Sequence, residues 1–78
     1  MVKQYVVVPR SGASDSTARL LQCVDICTRR SDITIKRIVG DEDNPKRLII
    51  AANPEVADEL LLNFGNWLII EENQPLRY

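Results

Sequence analysis

A chain of 78 residues with 45% apolar and 27% charged side chains is one small globular domain, too apolar to stay disordered and too short for two cores. Ten basic residues against eleven acidic ones, net charge −1, exclude a partner held by bulk charge, and one Trp, two Tyr and one Phe are too few for a nucleic-acid-stacking surface. The absence of histidine removes the commonest general base and metal ligand at neutral pH, and no apolar run approaches the ~18 residues of a membrane span.

In chain order, Tyr5-Val6-Val7-Val8 is β-branched and aromatic and closes at Pro9, which predicts a first strand. Its apolar residues fall on both faces, as in a central strand. Ser11-Gly12 marks a turn, and Ser14, Asp15 or Ser16 can cap a helix over about 14–30. Leu20, Leu21, Val24 and Cys27 recur at helical spacing, with Arg19, Gln22, Asp25 and Arg29 opposite. Cys23 and Cys27 then lie one turn apart, where disulfide geometry is poor. With no further Cys or His to complete a metal site, they read as two free, buried thiols.

Ile33 to Val39 alternates, which predicts an edge strand guarded in part by Lys36. Gly40-Asp41-Glu42-Asp43-Asn44-Pro45 is a polar turn, without the spaced oxygen ligands of a calcium loop. Arg47 to Ala52 is a third strand, apolar on both faces, and the short loop before it favours an antiparallel hairpin. Asn53-Pro54-Glu55 starts a second helix, with Val56, Leu60, Leu61 and Phe64 as its stripe and Gly65 as a left-handed stop. Trp67 to Ile70 is the fourth strand. The acidic pair Glu71-Glu72 and a polar tail, Asn73 to Tyr78, follow it.

The order βαββαβ, with right-handed crossovers, predicts an α+β ferredoxin-like fold: a four-stranded antiparallel sheet, order 4-1-3-2, with both helices on one face. Residues 1–78 form a single domain with 71–78 as an extended tail. Helices can cover only one side of this sheet, yet three strands are apolar on both. The open face is therefore expected to carry an apolar patch that a partner or a second copy covers. A standard interface buries ~800 Å² per side, gross ~20 kcal/mol at ~25 cal/mol per Å², against several lost on association. Spacing alone leaves open whether 48 and 50 or 49, and whether 68 and 70 or 69, face outward.

Lys3-Gln4-Tyr5-Val6-Val7 resembles the opening strand of subtilisin-type propeptides, the peptidase-inhibitor family that precedes subtilisin-like serine proteases. Asn53-Pro54-Glu55, the helix after it and Trp67 to Asn73 look like that family's closing block, and Tyr78 looks like its cleavage junction. The resemblance implies an inhibitor and folding chaperone of such a protease, with no catalytic residues, no cofactor and no metal of its own. Its sheet would dock on two surface helices of the enzyme. Glu71 and Asn73, with Glu72 competing, would cap those helices; a carboxylate is favoured at orphan N–H donors by hydrogen bonding and the dipole together. The tail would lie in the substrate cleft as an added strand, with Tyr78 in the first specificity pocket and Arg77, Leu76 and Pro75 upstream, bound as a cleaved product is. Asn73 stands where the family often has an acidic residue, and Pro75 where such enzymes favour a larger apolar one. The rival reading is a ferredoxin-like regulatory or dimerisation domain whose last residues are dispensable. An enzyme is not expected, because no nucleophile–base pair or phosphate-cradling loop exists. Met1-Val2-Lys3-Gln4 lacks the layout of a signal peptide. The expected setting is secreted or extracellular if the chain is a propeptide, and cytoplasmic if it stands free.

Overall fold

The computed structural model describes residues 1–41 and 43–73. Its elements are β1 (Lys3–Pro9), α1 (Ser16–Arg29), β2 (Ile33–Asp41), β3 (Asn44–Ala52), α2 (Pro54–Phe64) and β4 (Leu68–Glu72). The four strands form one antiparallel sheet in the order β2-β3-β1-β4, the expected order read from the other edge. This is the ferredoxin-like βαββαβ arrangement.

Side chains one residue apart on a strand point to opposite faces, so the register sorts the sheet into two surfaces. On one, Tyr5 and Val7 of β1, Leu48, Ile50 and Ala52 of β3 and Leu68 of β4 are buried in a core shared with the helices. From α1 come Leu20, Cys23 and Cys27, and from α2 come Val56, Ala57, Leu60 and Phe64. The core is wholly apolar, and among the described residues no buried side-chain nitrogen or oxygen lacks a partner. In α1 Cys23 and Cys27 are buried as expected, whereas Leu21, expected in the stripe, is 36% exposed at its flank. In α2 Leu61 is likewise displaced outward, and Ala57 takes its place. Each helix is amphipathic as expected, but its buried stripe takes in Cys23 rather than Leu21 in α1 and Ala57 rather than Leu61 in α2.

The helix ends are made differently from the expected caps. Asp15 stands at the N-cap of α1 in the left-handed region, φ 62°, with no side-chain bond to the helix. Asn53 caps α2 through its main chain, its carbonyl accepting from Val56 at 3.0 Å and Ala57 at 3.2 Å. Gly65 does end α2, but at φ −59° it is right-handed. Glycine is required there by crowding: a Cβ would lie 2.5 Å from the Leu61 carbonyl oxygen. Beyond α1, Arg30 donates to Asp32 at 2.9 and 2.6 Å and also to Glu59, tying the end of α1 to α2. That hydrogen bonding holds the Asp32 carboxyl below, and the Arg30 guanidinium above, their ordinary ranges.

β3 begins at Asn44, earlier than the polar composition suggests, because pairing with β2 continues through Gly40↔Pro45 to Asp41↔Asn44. Gly40, at φ 107°, permits this, since a Cβ would meet the Lys46 main-chain nitrogen at 2.8 Å. β2 is the edge strand expected, with a register shift between Ile35 and Arg37 that interrupts its free edge beside Lys36.

Two outcomes follow from this packing. Leu48→Ala should cost ~2–5 kcal/mol in urea denaturation, whereas Ile49→Ala, on the other face, should cost about 1 kcal/mol or less; equal losses would mean that both faces are core. Cys23 and Cys27 are free and buried, the former held protonated by its hydrogen bond to Cys27 and by burial. Both should react with a thiol reagent at least ~100-fold more slowly in buffer than in denaturant, because only an opened chain exposes them.

Candidate functional site

The second surface of the sheet has no helix on it among the described residues. Its side chains are the alternates of the core set: Gln4, Val6 and Val8 on β1, Arg47, Ile49 and Ala51 on β3, and Ile69 and Glu71 on β4, with Asn73 following. From β2 come Thr34 opposite Ala51, Arg37 opposite Ile49 and Val39 opposite Arg47. The alternation question left open by spacing is thereby resolved: Ile49 and Ile69 face outward, while Leu48, Ile50, Leu68 and Ile70 face the helices.

Cross-strand neighbours gather the apolar members into a strip. Val6 lies against Ile49, Val8 against Ile69, and Ala51 against Gln4. Each of these apolar side chains is partly screened by its neighbours, and none enters the core cluster. One cross-strand row reads Arg37, Ile49, Val6, Glu71 from edge to edge, so the strip is bordered by cations at the β2 side and a carboxylate at the β4 side. Arg37, Arg47 and Glu71 make no ion pair among the described residues. No aromatic side chain lies on this face among the described residues: Tyr5 points into the core and is 8% exposed. A base-stacking platform like that of an RNA-binding sheet therefore has no counterpart here.

The acidic pair falls within β4 rather than after it. Glu71 and Glu72 pair with Val6 and Tyr5, and the ladder continues to Asn73, whose N–H donates to the Gln4 carbonyl at 2.8 Å. Main-chain pairing with the long β1 outweighs the weak strand preference of glutamate. The strand period then separates the three candidates. Glu71 and Asn73 share the open face, while Glu72 points to the helix side and pairs with Lys3 at 3.3 Å. The Asn73 side-chain nitrogen reaches Gln4 Oε1 at 3.5 Å, which leaves its oxygen to accept from elsewhere. The expected cleft-binding residues Pro75, Leu76, Arg77 and Tyr78 lie outside the described residues, as does Glu42 of the polar turn.

Trp67, expected in the fourth strand, sits just before it. Arg19 of α1 lies 4.2 Å from the centre of its ring, and Arg10 donates to the Gly65 carbonyl at 3.1 Å, so both arginines brace the loop that leads into β4. An open cleft of about 410 Å³ between α1 and the β2–β3 hairpin is lined by Leu21, Val24, Ile38, Gly40 and Pro45. It was not legible in the sequence, because it depends on how far β2 extends past the helix; no titratable side chain lines it. Among the described residues, no three His, Cys, Asp or Glu are grouped to hold a metal ion, and no helix is long and apolar enough to cross a membrane.

Ile49→Asp and Ile69→Asp should each leave the circular dichroism spectrum of the fold intact and lower the binding of an apolar dye to the folded chain. Loss of the fold instead would show that these side chains belong to the core.

No protein-family model, curated protein or solved structure matches the chain.

Proposed function

We propose that this chain is a propeptide-type inhibitor and folding chaperone of a subtilisin-like serine protease, acting by docking and not by catalysis. The observation that carries the reading is the shared face of the apolar strip, Glu71 and Asn73. An apolar surface bordered at one edge by a carboxylate and an amide oxygen suits two parallel enzyme helices presenting their N-termini. The strip packs on the helix sides, and the Glu71 oxygens and the Asn73 oxygen accept from orphan N–H groups. Glu71 brings charge to that contact, and Asn73 supplies a weaker, uncharged one.

Glu72 takes no part in capping in this reading; its ion pair with Lys3 ties the end of β1 to β4. In this reading the segment that follows Asn73 enters the substrate cleft of the enzyme. Tyr78 fills the first specificity pocket of the protease, and Arg77, Leu76 and Pro75 take the upstream subsites, pairing main chain with the enzyme as an added strand. Product-like binding inhibits by filling the subsites that the acyl half of a substrate would take. Pro75 lowers the ordering cost of the segment, though it offers no N–H.

The full chain should inhibit a subtilisin-like protease at stoichiometric levels. Removal of Pro75 to Tyr78 should raise the inhibition constant by roughly two orders of magnitude or more, as expected when several cleft subsites are vacated. Unchanged potency after truncation would reject the role of the tail. A full chain that left a panel of serine proteases untouched would leave the alternative, a ferredoxin-like regulatory or dimerisation domain without a protease partner.

A further inference from the structure

We infer that the free chain forms a two-fold symmetric dimer through its open sheet face, with the axis running along the strands between β3 and β1, so that Arg37 of each copy pairs with Glu71 of the other. The proposal does not depend on a protease partner.

The layout of charge on the face carries it. In the row Arg37, Ile49, Val6, Glu71, opposite charges stand at the two ends and apolar side chains stand between them. The row crosses four strands, so its ends are ~14 Å apart at the usual strand spacing. Two copies can be laid face to face by a half-turn about an axis in the plane of the sheet. If that axis runs along the strands midway between β3 and β1, β2 of one copy covers β4 of the other. Arg37 then lies over Glu71 of the second copy, and Glu71 over its Arg37. Ile49 covers Val6, and Val39 of one copy approaches Ile69 of the other. A half-turn about an axis across the strands would place β2 over β2, bringing Arg37 and Arg47 of the two copies onto one side without a carboxylate. The charges therefore select one of the two arrangements.

The dimensions fit. Sheets that pack face to face lie ~10 Å apart and ~30° out of line, a gap that an arginine and a glutamate extending toward each other can bridge. Arg37 and Glu71 are both exposed and have no ion-pair partner among the described residues, so pairing costs no existing bond. The face measures ~19 by ~17 Å, roughly 320 Å² in projection per copy and ~650 Å² for two, below the ~1,200 Å² at which standard specific interfaces begin. That area suits a reversible association, and an enzyme docking on the same face would compete with it.

The test is the mass of the chain across a concentration series by sedimentation equilibrium. The wild type should pass from monomer to dimer. Arg37→Glu alone and Glu71→Arg alone should each weaken the dimer at least tenfold, since symmetry places two like-charged pairs in every self-pairing. An equimolar mixture of the two variants should dimerise near wild-type strength, because each copy then faces its complement, and the doubly swapped chain R37E/E71R should do the same. Both positions are exposed, and recovery on mixing shows that both variants are folded. A wild type that stays monomeric at millimolar concentration overturns the proposal. So does a dimer whose strength neither single swap changes, or one that mixing fails to restore. No protease enters the measurement, so its outcome is separate from that of the inhibition assay.

Discussion

Among the described residues two helices cover four strands, and they share one core with Val7, Leu48, Ile50 and Leu68. The centre of that side is shut from water: fully buried leucines, isoleucine and valine, with two cysteines serving as small apolar fillers. The other side is left to the sheet alone. A sheet covered on one face ordinarily alternates apolar and polar along each strand. Here Val6, Val8, Ile49, Ala51 and Ile69 break the alternation, and among the described residues no helix covers them, so a partner that does so withdraws apolar surface from water.

The register of β1 between β3 and β4 turns this apolar surplus into a site. It sets Val6 between Ile49 and Glu71 and puts Asn73 beside Gln4. A shift of one residue in β4 would exchange Glu71 with Glu72 and carry Ile69 into the core face. The braces around the strand guard against such a shift. Glu72 holds Lys3, Arg10 N–H donates to the Trp67 carbonyl at 2.8 Å, and Arg19 lies on the Trp67 ring. These contacts are remote from the open face, yet they decide which acidic side chain appears on it.

The proposed protease and the second copy exploit different parts of the same surface. Enzyme helices would use the acceptors at the β4 edge, whereas a second copy would use the pairing of that edge with Arg37 of β2. Apolar burial supplies most of the attraction in either case, and charge decides orientation. With an interface this small, neither occupant would hold permanently by the sheet alone. A tail that adds main-chain pairing in a cleft would therefore weigh heavily in the contest for the face.

Element order, strand order and the existence of an apolar outer face were legible in the residues, because turn signals and capping residues such as Gly12 and Asn53-Pro54 punctuate the chain and only one sheet order joins six such elements by right-handed crossovers. The surplus at Val6-Val7-Val8 and Leu48-Ile49-Ile50 was equally plain. Periodicity was silent on the phase: a strand apolar on both sides reads the same whichever side faces the core, so Ile49 and Ile69 became outer residues only when the helices docked. The same ambiguity hid the separation of Glu71 from Glu72, two adjacent carboxylates that the pleat sends to opposite faces. The alignment of Arg37 with Glu71 was beyond local pattern altogether, since a register shift in β2 sets one end and the pairing of β1 with β4 sets the other. Local propensity acts over a few residues, and the face is assembled from strands whose paired residues, Val6 and Glu71 for one, stand about 65 positions apart in the chain, so that their relative phase is a property of packing.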